Sequence, residues 1–239
     1  VADNAFDAQG KPDPAGNFWQ LSDRIADDPT LTRPGFSAER YYLNICDPQG
    51  YPHCALADPP YTPYTGGPAI TDGLAAAFNS GHFLVNYIGH GRIAGWGGAP
   101  SMLDVKDLTR LSNRERLPLI LDMTCYTGYY QRPDLALASL AESLVRKPDG
   151  GAIAAWSSTG LGLVDGHDLL NGGFLQALMQ GGVRRAGLAA LAGLASLYVQ
   201  GGGAHLENID TFLLLGDPAL RLALPGDGQI YLPLITDSE

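Results

Sequence analysis

The chain has 239 residues, 45% apolar and only 17% charged, a globular composition long enough to bury a sizeable core. Its 15 basic and 25 acidic side chains leave a net charge of −10 and a pI near 4.8, and the densest basic spots are only the pairs Arg146-Lys147 and Arg184-Arg185. That argues against nucleic acid as a partner, because affinity for a phosphate backbone rests on clustered Lys and Arg.

The elements follow in chain order from hydrophobic periodicity and turn signals. A helix is expected over Asn17 to Ala26 and a short strand over Arg40 to Ile45, then a long Pro-, Gly- and Tyr-rich loop over 47–69. Thr71 to Asn79 reads as a helix with Thr71 as its cap, and His82 to Ile88 as a buried strand ending at Gly89-His90-Gly91. A Gly-rich loop, Arg92 to Ser101, precedes a short helix over Asp104 to Leu111 and a second buried strand, Leu117 to Thr124, ending at Cys125. A helix over Leu137 to Arg146 and a third buried strand over Ala152 to Ser157 come next. Helices over 168–180, 186–199 and 207–214 follow before Gly216-Asp217-Pro218 stops the pattern. The stretch from Ala186 to Val199 is the most apolar, but it falls short of the roughly 20 residues a membrane span needs and reads as a buried helix. Short strands alternating with helices predict an α/β fold with a mostly parallel sheet covered on both faces. One domain is expected over residues 1–225, with 226–239 as a tail or linker. The absence of an initiator Met or signal-like segment reads as a piece cut from a longer chain.

Two strands end in a reactive side chain. His90 closes the first buried run and Cys125 the second, and ligands of parallel α/β sheets bind at the carboxyl ends of strands. Side by side, a His can carry protons for a Cys thiolate that attacks a carbonyl. The N–H groups of Gly91 and Cys125 would then receive the oxyanion. Separately, a Cys of this kind is more often inert and a His before Gly more often a turn residue; it is the pairing that carries the signal. His53, His82, His167 and His205 stand isolated and read as structural or solvated. Gly160-Leu161-Gly162-Leu163-Val164-Asp165-Gly166 has its last glycine one position late for a dinucleotide fingerprint, and no phosphate loop or zinc motif occurs. A flavodoxin-like nucleotide binder would share the fold but lacks that loop. Cys46 and Cys54 flank a turn-rich stretch that could close as a disulfide if the chain is exported, or all three cysteines could be reduced. Asp3, Asp7 and Asp13, with Asn4 and Gly10, could offer oxygen ligands to Ca2+ or form a solvated acidic loop.

Asn86-Tyr87-Ile88-Gly89-His90-Gly91, Trp96 downstream and Asp122-Met123-Thr124-Cys125 resemble the gingipain-type cysteine peptidases of the caspase-like clan. The likeness runs through Ser139 to Leu144, Gly151 to Trp156 and Leu215 to Leu220, and includes the opening Val1-Ala2-Asp3-Asn4, so it covers about residues 1–222. It implies a caspase-like three-layer α/β/α sandwich, usually preceded by a strand-rich subdomain that this chain lacks. It also implies a secreted or cell-surface bacterial endopeptidase with protein or peptide substrates. His90 would be general base and acid, Cys125 the nucleophile, Gly91 and Cys125 the oxyanion donors, and Ca2+ a structural ion. The family's pocket is walled by the segment after the third strand, here Ser157 to Asp168, with Trp96 and Trp156 assigned beside it. Asp165, Asp168 or Asp47 would select Arg or Lys before the scissile bond, whereas Arg92 beside the pair would favour an acidic residue. Self-processing within a larger exported precursor, or an inactive scaffold of the same fold, are the alternatives.

Overall fold

The computed structural model describes residues 1–4, 11–43, 62–64 (backbone only), 67–98, 100–131 and 138–224. Helix α1 (Phe18–Asp27) starts where the Asn17 side chain accepts from the Gln20 N–H, an N-cap. Strands β1 (Tyr41–Leu43) and β2 (Thr62–Tyr64) follow, the second inside the expected loop. Helix α2 (Gly67–Ser80) begins four residues before Thr71, with Pro68 tolerated in the first turn. Thr71 is therefore not a cap; its hydroxyl sits 2.8 Å from the carbonyls of Gly67 and Met102.

Strand β3 (Leu84–Ile88) leads into a small antiparallel sheet of β4 (Gly91–Arg92), β5 (Gly95–Trp96) and β6 (Leu103–Asp104), where the Gly-rich stretch reads as a loop. The expected helix over 104–111 is a 3-10 helix, Val105–Arg110, closed by a capping box between Asp104 and Asp107. β7 (Leu119–Met123), α3 (Leu140–Val145) and β8 (Ala154–Ser158) come next. α4 (Val164–Met179) begins four residues earlier than expected, ahead of α5 (Ala186–Gln200) and α6 (Glu207–Thr211). The last predicted helix divides: after α6, Phe212-Leu213-Leu214-Leu215 leaves the helix as β9 (Phe212–Leu215), antiparallel to β8. Pairing with a central strand overrides the local helical pattern there.

The sheet runs β3, β7, β8, β9, the first three parallel. On its outer side Ala2 bridges Ile88 and Tyr42, joining β1 and β2 to the same sheet. Alternation along β7 sends Leu119, Leu121 and Met123 to a core shared with α1, α4 and α5, and Ile120 to a core shared with α2 and α3. The result is three layers, helix on sheet on helix, with the carboxyl ends of β3 and β7 on one edge. No described helix is long and apolar enough to cross a membrane.

Candidate active site

The register of β3 against β7 pairs Ile88 with Met123. Two residues beyond that pair in each chain stand His90 and Cys125, just past the carboxyl ends of adjacent parallel strands. Gly91 makes this approach feasible. A methyl group there would collide with Thr124 Oγ1 and lie 2.6 Å from the Cys125 carbonyl oxygen.

His90 is held from four sides. Its N–H donates to Asp3 Oδ2 at 3.2 Å, and its carbonyl accepts from the Tyr87 hydroxyl at 2.6 Å and from the Gly97 N–H at 2.8 Å. The edge of its ring meets Phe18 at a centroid distance of 5.2 Å. Its Nε2 lies 3.0 Å from Asp13 Oδ2, whose other oxygen accepts from the Ala15 N–H at 2.8 Å. Asp13 is 10% exposed at its side chain and His90 49%, so the carboxylate is sheltered while the ring faces solvent. A carboxylate only accepts, so Nε2 carries the proton and Nδ1 is left as the basic nitrogen. Burial pushes the Asp3 carboxyl above its ordinary range, opposed by the Asn4 N–H and by His90.

Cys125 is half-buried and is a free thiol, its Sγ 3.5 Å from the Gly162 carbonyl oxygen. Tyr126, with φ of 61°, turns the chain sharply away after it. The Cys125 N–H has no partner among the described residues. Gly91 faces Trp96 in β5 as a pair without mutual bonds, since Gly97 N–H donates to the His90 carbonyl instead, so the ladder leaves the Gly91 N–H unused.

Trp96, Trp156 and Ser157 lie beneath the site rather than on a pocket wall. Trp96 is wholly buried, stacked on Tyr87 at 4.6 Å, and its indole N–H donates to Asp122 Oδ1 at 2.7 Å. Ser157 Oγ donates to the other oxygen of Asp122 at 3.1 Å, and Trp156 packs on Phe174 and Phe212. All five residues of β8 are buried because the strand is central and covered on both faces, so none can wall an open pocket. Burial raises the Asp122 carboxyl to about 6 despite these hydrogen bonds.

Asp168 forms an ion pair with Arg24, and Arg92 pairs with Asp104 at 2.8 Å and donates to the Gly97 carbonyl at 2.6 Å, so neither offers a free charge to a substrate. Asp165 stays exposed in the first turn of α4, with no ion pair among the described residues. Of the expected calcium ligands, Asp3 and Asp13 turn to His90, and Asp7 and Gly10 lie outside the described residues, as do Cys46, Asp47 and Cys54. Among the described residues no three His, Cys, Asp or Glu side chains gather as metal ligands. The carboxylate partner of His90 was not legible as such: Asp13 sits 77 positions away, and no spacing rule joins the two.

A model of peptidase family C25 matches residues 1–223. Gingipain R2 of Porphyromonas gingivalis is 28% identical over 177 residues, covering 70% of this chain and 23% of its own length. Gingipain R1 of the same organism is 28% identical over 177 residues, covering 70% of this chain and 17% of its own length. The crystal structure of the Arg-specific cysteine proteinase gingipain R overlays with a TM-score of 0.65 at 24% identity, over 92% of this chain and 47% of that one. A complex of the RgpB pro- and mature domains overlays with a TM-score of 0.68 at 22% identity, over 92% of this chain and 48% of that one. These likenesses show a shared caspase-like α/β/α fold. The chain spans less than half the length of the relatives it matches.

Proposed function

Because this chain belongs to peptidase family C25, we propose that it is a cysteine endopeptidase in which Cys125 is the nucleophile and His90 the proton carrier. The observation that carries the reading is the register of β3 and β7, which supports His90 and Cys125 as neighbours at one sheet edge. Asp13 supports it further by holding Nε2 and leaving Nδ1 for the thiol.

The steps follow from these groups. His90 Nδ1 takes the Cys125 proton, and the thiolate attacks the peptide carbonyl. The oxyanion of the tetrahedral intermediate accepts from the N–H groups of Gly91 and Cys125. The imidazolium then protonates the leaving amine, giving an acyl-enzyme. Water, deprotonated by His90, attacks the thioester and releases the acid and the free thiol. Asp13 is a positioning residue, because it touches the imidazole and not the substrate.

A basic residue before the scissile bond is the preferred substrate. Asp165 is the carboxylate that supports this, since Asp168 and Arg92 are already paired. The protein would work outside the cell or at its surface, and calcium would act as a structural ion, read out as a rise in melting temperature when calcium is restored to chelated protein. The enzymatic test is cleavage of peptides with Arg, Lys or Asp before the scissile bond. Cleavage after Arg or Lys, lost in Cys125→Ala and His90→Ala and weakened in Asp165→Asn, is expected. Cleavage that survives in Cys125→Ala contradicts the assignment.

A further inference from the structure

We propose that the cleft between β3 and the stretch leading into β1 is a strand-receiving slot, which takes an extended apolar segment joined to the Val1 nitrogen and adds it to the sheet as a parallel strand. Val1 to Asp3 already run along that line. The Val1 amino group donates to the Asn86 carbonyl at 2.8 Å, Ile88 N–H to the Val1 carbonyl at 3.0 Å and Asp3 N–H to the Ile88 carbonyl at 3.1 Å. On the other side Ala2 N–H donates to the Tyr41 carbonyl and Leu43 N–H to the Ala2 carbonyl, both at 3.0 Å. These are the evenly spaced bonds of a parallel ladder, and Ala2 bridges Tyr42 and Ile88 as a central strand does.

On the far side of Val1 the same line continues as a cavity of about 510 Å3, bounded by residues 36–41 and by 83–86 of the β3 side. Tyr42 and Ile88 each stand one strand spacing from Ala2, so the slot is roughly 9–10 Å across, room for one strand. Alternate residues of a parallel strand bond to alternate sides. Ile88 and Asn86 bond toward Asp3 and Val1, so Leu84 turns its N–H and carbonyl the same way. Among the described residues no strand lies opposite Leu84 on that side.

The walls define the occupant. Ala2 belongs to the core shared with α1, α4 and α5, and Val1 packs against the core shared with α2. The slot extends both: Ile25, Leu175 and Met179 line it from the first core, Leu74 and Phe78 from the second. Apolar walls on both faces call for a continuous apolar run rich in Val and Ile, as in any covered parallel strand. Charge points the same way. Loss of solvation, with a smaller effect of Arg40, lowers the Val1 ammonium from 8.0 to about 5. An amide at that nitrogen keeps the bond to Asn86 and removes the desolvated charge. Filling the slot also steadies the candidate site, because Asp3 in the same strand accepts the His90 N–H.

The test compares chain 1–239 with the same chain extended before Val1 by Val-Ile-Val-Ile, by Ser-Gly-Ser-Gly, or by the apolar segment with Asp at its third or its fourth position. Monomeric fractions are read by melting temperature and by hydrogen exchange over residues 84–88. The apolar extension should raise the melting temperature by roughly 5 °C or more and slow exchange at Leu84 and Asn86 at least about 10-fold; the polar one should do neither. Asp at either position should cancel the gain, since the two face opposite layers. Equal behaviour of the apolar and polar extensions, or a gain that tolerates Asp at one of the two positions, overturns the slot. Equal protection by free acetyl-Val-Ile-Val-Ile added to chain 1–239 overturns the attachment through Val1. Neither readout needs catalysis, so failure here leaves the endopeptidase reading standing, and loss of that reading leaves the slot.

Discussion

In the proposed mechanism Asp13 decides which nitrogen of His90 takes the thiol proton. Its carboxylate fixes the Nε2 proton and is itself fixed by the Ala15 N–H, so the ring is held in one tautomer. Asp13→Asn keeps the shape but can present an amide N–H to Nε2, which favours the other tautomer. We expect kcat to fall by roughly 10- to 1000-fold with KM nearly unchanged, measured on a peptide substrate. A loss confined to KM would mean that Asp13 contacts substrate instead. At this scale the sequence speaks unevenly. The place of His90 and Cys125 at adjacent strand ends was legible because each follows an apolar run long enough to be a buried strand. Asp13 was not, because its partnership is made by tertiary folding across 77 positions, and its neighbours suggested a calcium loop.

The layer beneath the pair anchors the element that carries His90. Tyr87 gives its hydroxyl to the His90 carbonyl and accepts the Gly97 N–H at 2.9 Å, and Trp96 stacks on its ring while bonding Asp122. The hairpin β4–β5 is thus tied to β3 and β7 by side chains that never reach the surface. Tyr87→Phe removes two buried hydrogen bonds, while the His90 carbonyl and the Gly97 N–H stay bonded to each other. It should cost about 1–3 kcal/mol in urea unfolding and also lower activity. An unchanged midpoint would mean that the hydroxyl is dispensable. Trp96, Trp156 and Ser157 were assigned to a pocket by the family resemblance. Which side of a strand end faces solvent depends on the helices that cover it, and local sequence does not carry that. The switch from α6 to β9 was hidden for the same reason: four apolar residues in a row fit a buried helix or a buried strand equally. The parallel core, by contrast, was legible, because five-residue apolar runs between helices leave few other arrangements.

Across the whole molecule two buried ionisable groups oppose each other in their effect on stability. Burial raises Asp122 to about 6 in the native state, above its ordinary 3.8, so its contribution is full below the lower value and is lost as pH rises through about 6. Burial, with a smaller effect of His205, lowers His167 from 6.5 to about 4, so its contribution is full above pH 6.5 and is lost as pH falls through about 4. Each effect is on the order of 3 kcal/mol, and between pH 4 and 6.5 they largely cancel. Relative to the wild type, Asp122→Asn should become more stable as pH rises from 4 to 7, and His167→Gln more stable as pH falls over the same interval. Urea melts at pH 4, 5.5 and 7 check both signs. Parallel pH profiles for all three proteins would contradict the burial of these charges.

The proposed hydrolysis depends on Cys125 and His90 acting together at one sheet edge. Intact-mass detection of covalent labelling by a peptidyl acyloxymethyl ketone carrying Arg tests this most directly. One adduct per wild-type chain, mapped to Cys125, abolished in Cys125→Ala and strongly slowed in His90→Ala, is the predicted result. Labelling of Cys125 at the same rate in His90→Ala, or no adduct on folded wild type, would contradict it.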